Sequence, residues 1–186
     1  MAPLPPEPKA VDLGLPSGLK WASANLGAHE ETDPGLYYMW GETEGHEKNS
    51  GYEFTEANYK AKGLKRISTN LSLEQDAVNV LLGGSWRMPT KTEFEELYNY
   101  TNVTWITING VAGLKFANKT DPSKYIFMPA AGCYEGSLLG SWGSDGRYWS
   151  STFINSSNGC SLYFETSEQF TDGSGRYFGY SVRGVC

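Results

Sequence analysis

The stretch Gly83–Tyr98 reads Gly-Gly-Ser-Trp-Arg-Met-Pro-Thr-Lys-Thr-Glu-Phe-Glu-Glu-Leu-Tyr. Within it, Thr90 and Glu93 form a capping box, in which the hydroxyl accepts the Glu93 backbone N–H and the carboxylate reaches back to the Thr90 N–H. Pro89 stops the helix from extending backwards, because the residue before a proline avoids the α region. The stretch therefore predicts a helix that begins after Thr90. Its apolar residues fall at i, i+3 and i+4 and so share one face: Phe94, Leu97 and Tyr98.

Other local signals predict a second helix and a hairpin. Ser72 with Gln75 is a further capping box, which predicts a helix running to Leu82 and ending at Gly83. Asn109-Gly110 is the strongest hairpin signal in the sequence. It stands between two apolar runs, Val103 to Ile108 and Val111 to Phe116.

The remaining elements are predicted as short strands and long connections. Strand-like runs are Val11 to Leu26 (broken at its glycines and at Pro16), Tyr37 to Trp40, Tyr125 to Met128, Tyr148-Trp149, Leu162 to Phe164 and Tyr180 to Val182. Residues 41–66 are polar and predict a loop. Two helices followed by many short strands indicate an α+β fold.

Composition limits the class of protein. The chain has 186 residues, of which 39% are hydrophobic and 19% charged, as expected for one folded domain. Residues 1–10 are rich in proline and predict a linker, which leaves residues 11–186 as a single domain. A net charge of -6 argues against nucleic acid as a partner, since phosphate binding needs a basic surface. No apolar run is long enough to cross a bilayer, and the chain as given carries no signal peptide.

Several motifs resemble one bacterial family in their residues and in their order. They are Val11-Asp12-Leu13-Gly14-Leu15, Leu19-Lys20-Trp21-Ala22, Tyr38-Met39-Trp40-Gly41-Glu42, Gly83 to Thr90, Met128-Pro129-Ala130-Ala131-Gly132, Tyr148-Trp149-Ser150-Ser151 and Gly179-Tyr180-Ser181-Val182-Arg183. The chain resembles the Fibrobacter succinogenes major paralogous domain family, which is similar in fold to C-type lectins. It differs from the family pattern in having Tyr180 in place of Phe and Gly184 in place of Pro. The resemblance implies a C-type-lectin-like fold with two helices packed on short, twisted antiparallel sheets. A fold alone does not imply a function.

No motif for metal binding or catalysis stands out in the sequence. The two groups of histidines and acids, around His29 and around His46, lack the spacing of a zinc or calcium site and are interpreted as solvated acidic loops. The Glu-Pro-Asn and Trp-Asn-Asp motifs of calcium-dependent lectins do not occur, so neither a metal nor a cofactor is predicted. Cys133, Cys160 and Cys186 fit either one disulfide with a free thiol or three reduced thiols. Cys160 shares strand parity with Leu162 and is interpreted as a small buried residue.

The C-terminal part of the chain has the composition of a binding surface. From Tyr134 to Tyr180 it is dominated by Gly, Ser, Asn, Tyr and Phe, as antibody binding loops are, although long loops are often polar and small without binding anything. The motif residues Trp86, Trp149, Leu162, Phe164 and Val182 are predicted to be core. Tyr148, Ser161 and Tyr163 have the opposite strand parity and are predicted to face outward.

The resemblance extends to the variable proteins of diversity-generating retroelements, in which codons of a C-terminal segment are rewritten. The corresponding segment here would run from about Arg147 to Arg183. Thirteen residues in it are predicted to be exposed and to bind ligand: Arg147, Tyr148, Phe153, Asn155, Ser156, Asn158, Ser161, Tyr163, Glu168, Phe170, Asp172, Arg176 and Tyr177.

The sequence thus favours a ligand-binding domain without catalytic activity. Its expected partner is a protein or glycan on a cell surface, and its expected location is a bacterial cell surface, the extracellular space or a phage particle. Two alternatives stay open: an oxidase resembling the formylglycine-generating enzymes, which share the broad fold and use cysteines, and a structural surface module without a specific ligand. The ligand and the oligomeric state are not predicted.

Overall fold

A computed structural model describes residues 3–186 of the chain. This part contains three α-helices, namely α1 (Glu56–Ala61), α2 (Ala77–Leu82) and α3 (Lys91–Tyr100), and two 3-10 turns, Leu64–Arg66 and Leu73–Gln75. Its ten strands are β1 (Ala10–Asp12), β2 (Lys20–Ala22), β3 (Asn102–Ile108), β4 (Val111–Ala117), β5 (Tyr125–Pro129), β6 (Cys133–Glu135), β7 (Leu138–Gly140), β8 (Gly146–Phe153), β9 (Asn158–Phe164) and β10 (Gln169–Gly175). They form four antiparallel sheets, in the orders β1-β2, β3-β4-β5, β6-β7 and β10-β9-β8. The predicted α+β class is confirmed.

Helix α3 forms where the capping box predicts it. The Thr90 hydroxyl accepts the Glu93 N–H at 3.3 Å, and Glu93 Oε1 accepts the Thr90 N–H at 2.8 Å. Phe94 and Leu97 are fully buried, and Tyr98 packs against the same core cluster. Glu93 also pairs with Arg87 at 2.6 Å, which ties the start of the helix to the segment before it.

The second predicted helix is divided in two. The Gln75 side chain accepts the Ser72 N–H at 3.1 Å as expected, but only a 3-10 turn follows. Asp76 then caps α2, because its Oδ1 accepts the Val78 and Asn79 N–H groups. The buried Asp76 carboxylate accepts from these local N–H donors and starts the α-helix there, so the α-helix is shorter than predicted. Gly83 ends it with a φ of 70°.

The prediction of a loop over residues 41–66 is wrong in part, because α1 lies within it. Thr55 caps this helix by accepting the Asn58 N–H at 3.2 Å. Tyr59 is the buried residue of α1, and its hydroxyl donates to the Trp40 carbonyl at 2.9 Å. One apolar anchor in six residues is too little to produce a helical period in the sequence. The protein therefore has three helices in the described residues, where two were predicted.

The hairpin prediction is confirmed almost to the residue. Asn109 and Gly110 both have positive φ, 48° and 80°, as a type I′ turn between β3 and β4 requires.

By contrast, the runs at Tyr37 and at Tyr180 form isolated bridges and not strands: Tyr38 pairs with Tyr180 and Tyr37 with His46. Strand β10 was not predicted, since Gly, Ser and Asp weaken its apolar pattern.

Strand β8 carries core residues on both faces. Tyr148 belongs to the cluster formed by α3 and the sheet of β3, β4 and β5, whereas Trp149 belongs to a second cluster around α2. The five residues predicted to be core, from Trp86 to Val182, are all buried. None of the helices in residues 3–186 combines the length and the apolar character that a membrane span needs.

Candidate functional site

The outer face of the three-stranded C-terminal sheet brings predicted binding residues into register. Arg147 on β8 lies opposite Tyr163 on β9, and Tyr163 lies opposite Phe170 on β10. In the neighbouring row on the same face, Ser161 lies opposite Asp172. Because side chains alternate across a strand, residues two apart share a face. A cation, two aromatic rings, a hydroxyl and a carboxylate therefore meet on one surface.

These side chains line an open depression of about 240 Å³, here called the sheet pocket. Five of the thirteen predicted residues lie in it, and they come from all three strands. Sequence reasoning missed two further lining residues, Gly173 and Ser174, because β10 was not recognised as a strand. The lining is Arg147, Ser161, Tyr163, Phe170, Asp172, Gly173 and Ser174.

One wall of the sheet pocket is aromatic. The Tyr163 and Phe170 rings are 5.0 Å apart and tilted by 38°, and the Arg147 guanidinium carbon lies 5.0 Å from the Tyr163 ring centre. Phe170 keeps 38% of its surface exposed. Two tilted rings beside a cation offer an amphipathic surface that contacts a partner at little entropic cost.

The other wall is polar. Partial burial disfavours the charge of Arg147, but the Tyr180 hydroxyl and the Asp145 carboxylate outweigh it and hold the pKa of Arg147 above its ordinary value. The Ser161 and Ser174 hydroxyls lie 2.9 Å apart, and Asp172 is exposed. The wall thus offers a fixed positive charge, a carboxylate and the Ser174 hydroxyl, which can donate to and accept from a polar ligand.

Three of the residues predicted to be exposed are buried. Tyr148 is fully buried, because its face of β8 also packs on core. Ser161 does lie on the outer face but is only 2% exposed, and its hydroxyl is engaged by Ser174. Arg176 is 1% exposed, since its guanidinium lies over the Trp40 ring at 4.5 Å.

The hydroxyl of Tyr148 has a structural role. It donates to the Pro129 carbonyl at 2.8 Å and accepts from Asn25 Nδ2 at 3.0 Å. Burial raises the pKa of Tyr148 to about 12. Asn25 in turn accepts from Arg183 Nε at 2.9 Å. Tyr148 therefore belongs to a buried polar network and not to a binding surface.

A second depression, of about 110 Å³, collects three more of the predicted residues: Ser156, Arg176 and Tyr177. We call it the Arg176 pocket. It is completed by Ser157 and by three residues of the α1 region, Glu56, Tyr59 and Lys65. No sequence signal connects that region with the C-terminal sheet, since they are about 100 positions apart.

The four remaining predicted residues line neither pocket. Phe153 is half-buried, with its ring centre 6.4 Å from that of Trp40. The Asn155 side chain accepts the Ser157 and Asn158 N–H groups at 2.9 Å, so it shapes the turn between β8 and β9. Asn158 is half-buried. Glu168 is exposed in the turn between β9 and β10.

The group of acids around His46 differs from expectation. Glu42 is not solvated but 4% exposed, and it accepts from Lys62 Nζ at 2.5 Å and contacts His46 Nε2 at 2.9 Å. In residues 3–186 no group of three or more His, Cys, Asp or Glu side chains is arranged to hold a metal ion.

Cys133, Cys160 and Cys186 are free thiols, and Cys160 is buried as predicted.

Comparison with known proteins gives no relative for this chain. No protein-family model matches it, and neither the curated proteins nor the solved structures contain a significant match.

Proposed function

We propose that the protein is a ligand-binding domain that recognises a protein or glycan on a cell surface through the sheet pocket. The observation that carries the proposal is the convergence of Arg147, Ser161, Tyr163, Phe170 and Asp172 from three strands into one depression. Exposed aromatic anchors beside an arginine are typical of the residues that dominate binding energy. A bacterial surface, the extracellular space or a phage particle is the location at which such a domain would meet its partner.

The proposed fold is C-type-lectin-like, with membership of the Fibrobacter succinogenes major paralogous domain family. Its support is the resemblance of the seven sequence motifs, together with helices α2 and α3 that precede a series of short antiparallel strands. The motif around Gly83 lies between these helices, and the Tyr148 motif lies in β8. A rigid scaffold that carries a variable outer face would suit a binding protein.

The direct test replaces the aromatic wall of the sheet pocket. Tyr163→Ala and Phe170→Ala are each expected to weaken the partner found by glycan-array and surface-protein screening by about 10-fold or more, the usual effect of losing an anchor residue. Loss of the cross-strand aromatic pair costs up to about 1 kcal/mol, so melting temperatures should fall by no more than about 4 °C. Tyr100→Ala is the matched control, since Tyr100 is 52% exposed and lines neither pocket. Equal loss in all three variants would refute the assignment, and unfolding of the pocket variants would show that the rings are core.

The thiols favour binding over the oxidase alternative. An oxidase that uses cysteine needs an accessible thiol of lowered pKa beside a base. Here burial raises the pKa of Cys133, Cys160 and Cys186 alike. Alkylation of the two half-buried thiols, Cys133 and Cys186, should leave ligand binding intact. A structural module without a ligand would instead give no specific partner in the screen.

Diversification by a retroelement is the further part of this proposal. Sequencing of the locus would reveal a near-copy of the segment that encodes residues 147–183, differing at adenines and lying beside a reverse transcriptase. If it exists, substitutions should fall on Arg147, Tyr163, Phe170 and Asp172, which contribute to the sheet pocket. They should spare Tyr148, whose change would disrupt the core. A locus without such a repeat would leave a binding domain of fixed specificity.

A further inference from the structure

The guanidinium of Arg176 is held rigidly inside the protein. Nη1 donates to the Ile67 carbonyl at 2.8 Å, and Nη2 donates to the Asn155 carbonyl. The rings of Trp40 and Phe153 lie 4.5 and 5.2 Å from its central carbon. Two carbonyls and two aromatic rings fix the orientation of this group.

Part of the hydrogen-bonding capacity of Arg176 is unused. An arginine has five N–H donors, and the two carbonyls engage one nitrogen each. Nε is buried without any partner, and among residues 3–186 no carboxylate forms an ion pair with Arg176. A buried charge without a counterion is costly. The two carbonyl contacts account for a hydrogen-bond donor at position 176, but they do not account for a positive charge there without a counterion.

The Arg176 pocket opens beside this group. Hydroxyl-bearing residues surround it, namely Ser156, Ser157, Tyr59 and Tyr177. Lys65 brings an ammonium group to the rim. The volume of about 110 Å³ is well below the roughly 300–1,000 Å³ of pockets for drug-sized molecules, and therefore suits a single small functional group.

Lys65, Glu56 and Arg176 give the lining of the pocket one net positive charge, although the protein as a whole carries a net charge of -6. Glu56 also lines the pocket, but it is shared by two lysines, with Lys60 at 3.3 Å and Lys65 at 3.2 Å. Among the residues that line the pocket, one acid therefore faces one ammonium group and the guanidinium. The excess of positive charge remains available to an anion.

We propose that the Arg176 pocket binds a compact carboxylate, carried either by a free organic acid or by a sugar acid. The carboxylate pairs with the part of the Arg176 guanidinium that borders the pocket, since the two groups match in charge and in hydrogen bonding. The Ser156 and Ser157 hydroxyls and the Lys65 ammonium group complete its coordination. This site is separate from the sheet pocket and does not depend on the function proposed for it.

The experiment observes the Arg176 Nε–H signal by NMR at constant ionic strength. Acetate and glucuronate are titrated in parallel with sodium chloride and glucose as controls. A saturable shift with acetate or glucuronate, absent with both controls, is the expected result. Equal affinity for the two acids identifies a free carboxylate as sufficient, whereas tighter binding of glucuronate identifies a sugar acid. No saturable shift with either acid, or the same shift with chloride, would overturn the proposal.

Two lysine variants provide a matched pair. Lys60 and Lys65 contact the same glutamate and are similarly exposed, at 53% and 49%, but only Lys65 lines the pocket. Lys65→Ala should weaken acetate binding about 2- to 5-fold, the size of an exposed ion pair. Lys60→Ala should leave it unchanged within error. Equal weakening by both variants would mean that only the general field attracts the anion, against the proposal.

Failure of this inference can be told apart from failure of the proposed function. Tyr163→Ala and Phe170→Ala change the sheet pocket and should not affect acetate binding at Arg176. Conversely, Lys65→Ala should leave recognition of a partner at the sheet pocket unchanged.

Discussion

Replacing Tyr148 by phenylalanine removes one oxygen from the buried network behind β8. The lost hydroxyl donates to the Pro129 carbonyl at 2.8 Å and accepts from Asn25 at 3.0 Å. Each buried hydrogen bond contributes about 1 kcal/mol net, and an abandoned partner adds a desolvation cost. Asn25 keeps its bond to the Pro34 carbonyl at 3.0 Å, which limits the damage. We therefore expect Tyr148→Phe to lower the free energy of unfolding by roughly 2–3 kcal/mol.

Urea titration at pH 7, followed by tryptophan fluorescence, measures this loss directly. For a chain of this length the expected fall in melting temperature is roughly 5–10 °C. Tyr163→Phe is the control, because its hydroxyl makes only a 3.4 Å contact with Glu165 at the surface, and its cost should stay below about 0.5 kcal/mol. If the two variants lose the same stability, Tyr148 does not belong to a buried network. Partner binding that falls in Tyr148→Phe without loss of stability would restore the original interpretation of Tyr148 as a binding residue.

Two further predictions concern the start of α3 and the outer face of the sheet. Desolvation alone would raise the pKa of Glu93, but the ion pair with Arg87 outweighs it and lowers this pKa. The stability that the ion pair provides is therefore present above the unfolded pKa of about 4.5. It is lost as the pH falls from there through the folded value. Glu93→Gln keeps the capping box but should lower the free energy of unfolding by roughly 1–2 kcal/mol at pH 7. Urea denaturation of this variant should depend less on pH between about 5 and 3 than that of the parent. Parallel plots of unfolding free energy against pH for the two proteins would contradict this. A Cβ on Gly159 would lie 2.6 Å from the Trp40 ring, whereas one on Gly173 of the same hairpin would have its nearest neighbour at 3.6 Å. Gly159→Ala should therefore destabilise by about 1–3 kcal/mol and Gly173→Ala by much less, as thermal unfolding would show, and equal costs would refute the packing of Trp40 on β9.

The elements that the sequence predicts well are those whose causes lie within a few residues. Helix α3 follows from Thr90 and Glu93, three positions apart, and the β3–β4 hairpin follows from the two residues of its turn. Helix α2 was misplaced for an equally local reason, since two caps compete within five residues and the buried Asp76 prevails. Helix α1 was missed because Tyr59 is the one buried residue in its six positions, and a single anchor produces no helical period in the sequence.

Five of the seven residues that line the sheet pocket are predicted from the sequence, but not all of them are exposed as predicted. Strand parity assumes that one face of a strand meets solvent, and this holds at Tyr163 but not at Ser161 on the same face of β9, which is 2% exposed. It does not hold at Tyr148, because β8 packs on core through both Tyr148 and Trp149. No residue pattern within β8 indicates that both of its faces are buried. Tyr148 is buried because β8 lies between two core clusters, whose other residues are far from β8 in the sequence.

Arg176 shows how burial changes the meaning of a predicted binding residue. In the sequence it is one charged residue in a segment rich in Gly, Ser and Tyr, and such a residue is expected at the surface. The rings of Trp40 and Phe153 and the carbonyl of Ile67 come from three separate parts of the chain, and together they enclose it. An exposed arginine would be mobile and hydrated, and would contribute little to selective binding. Enclosed on two faces, the same group has already lost its water and its freedom of orientation, so an anion in the Arg176 pocket would meet a preorganised positive charge.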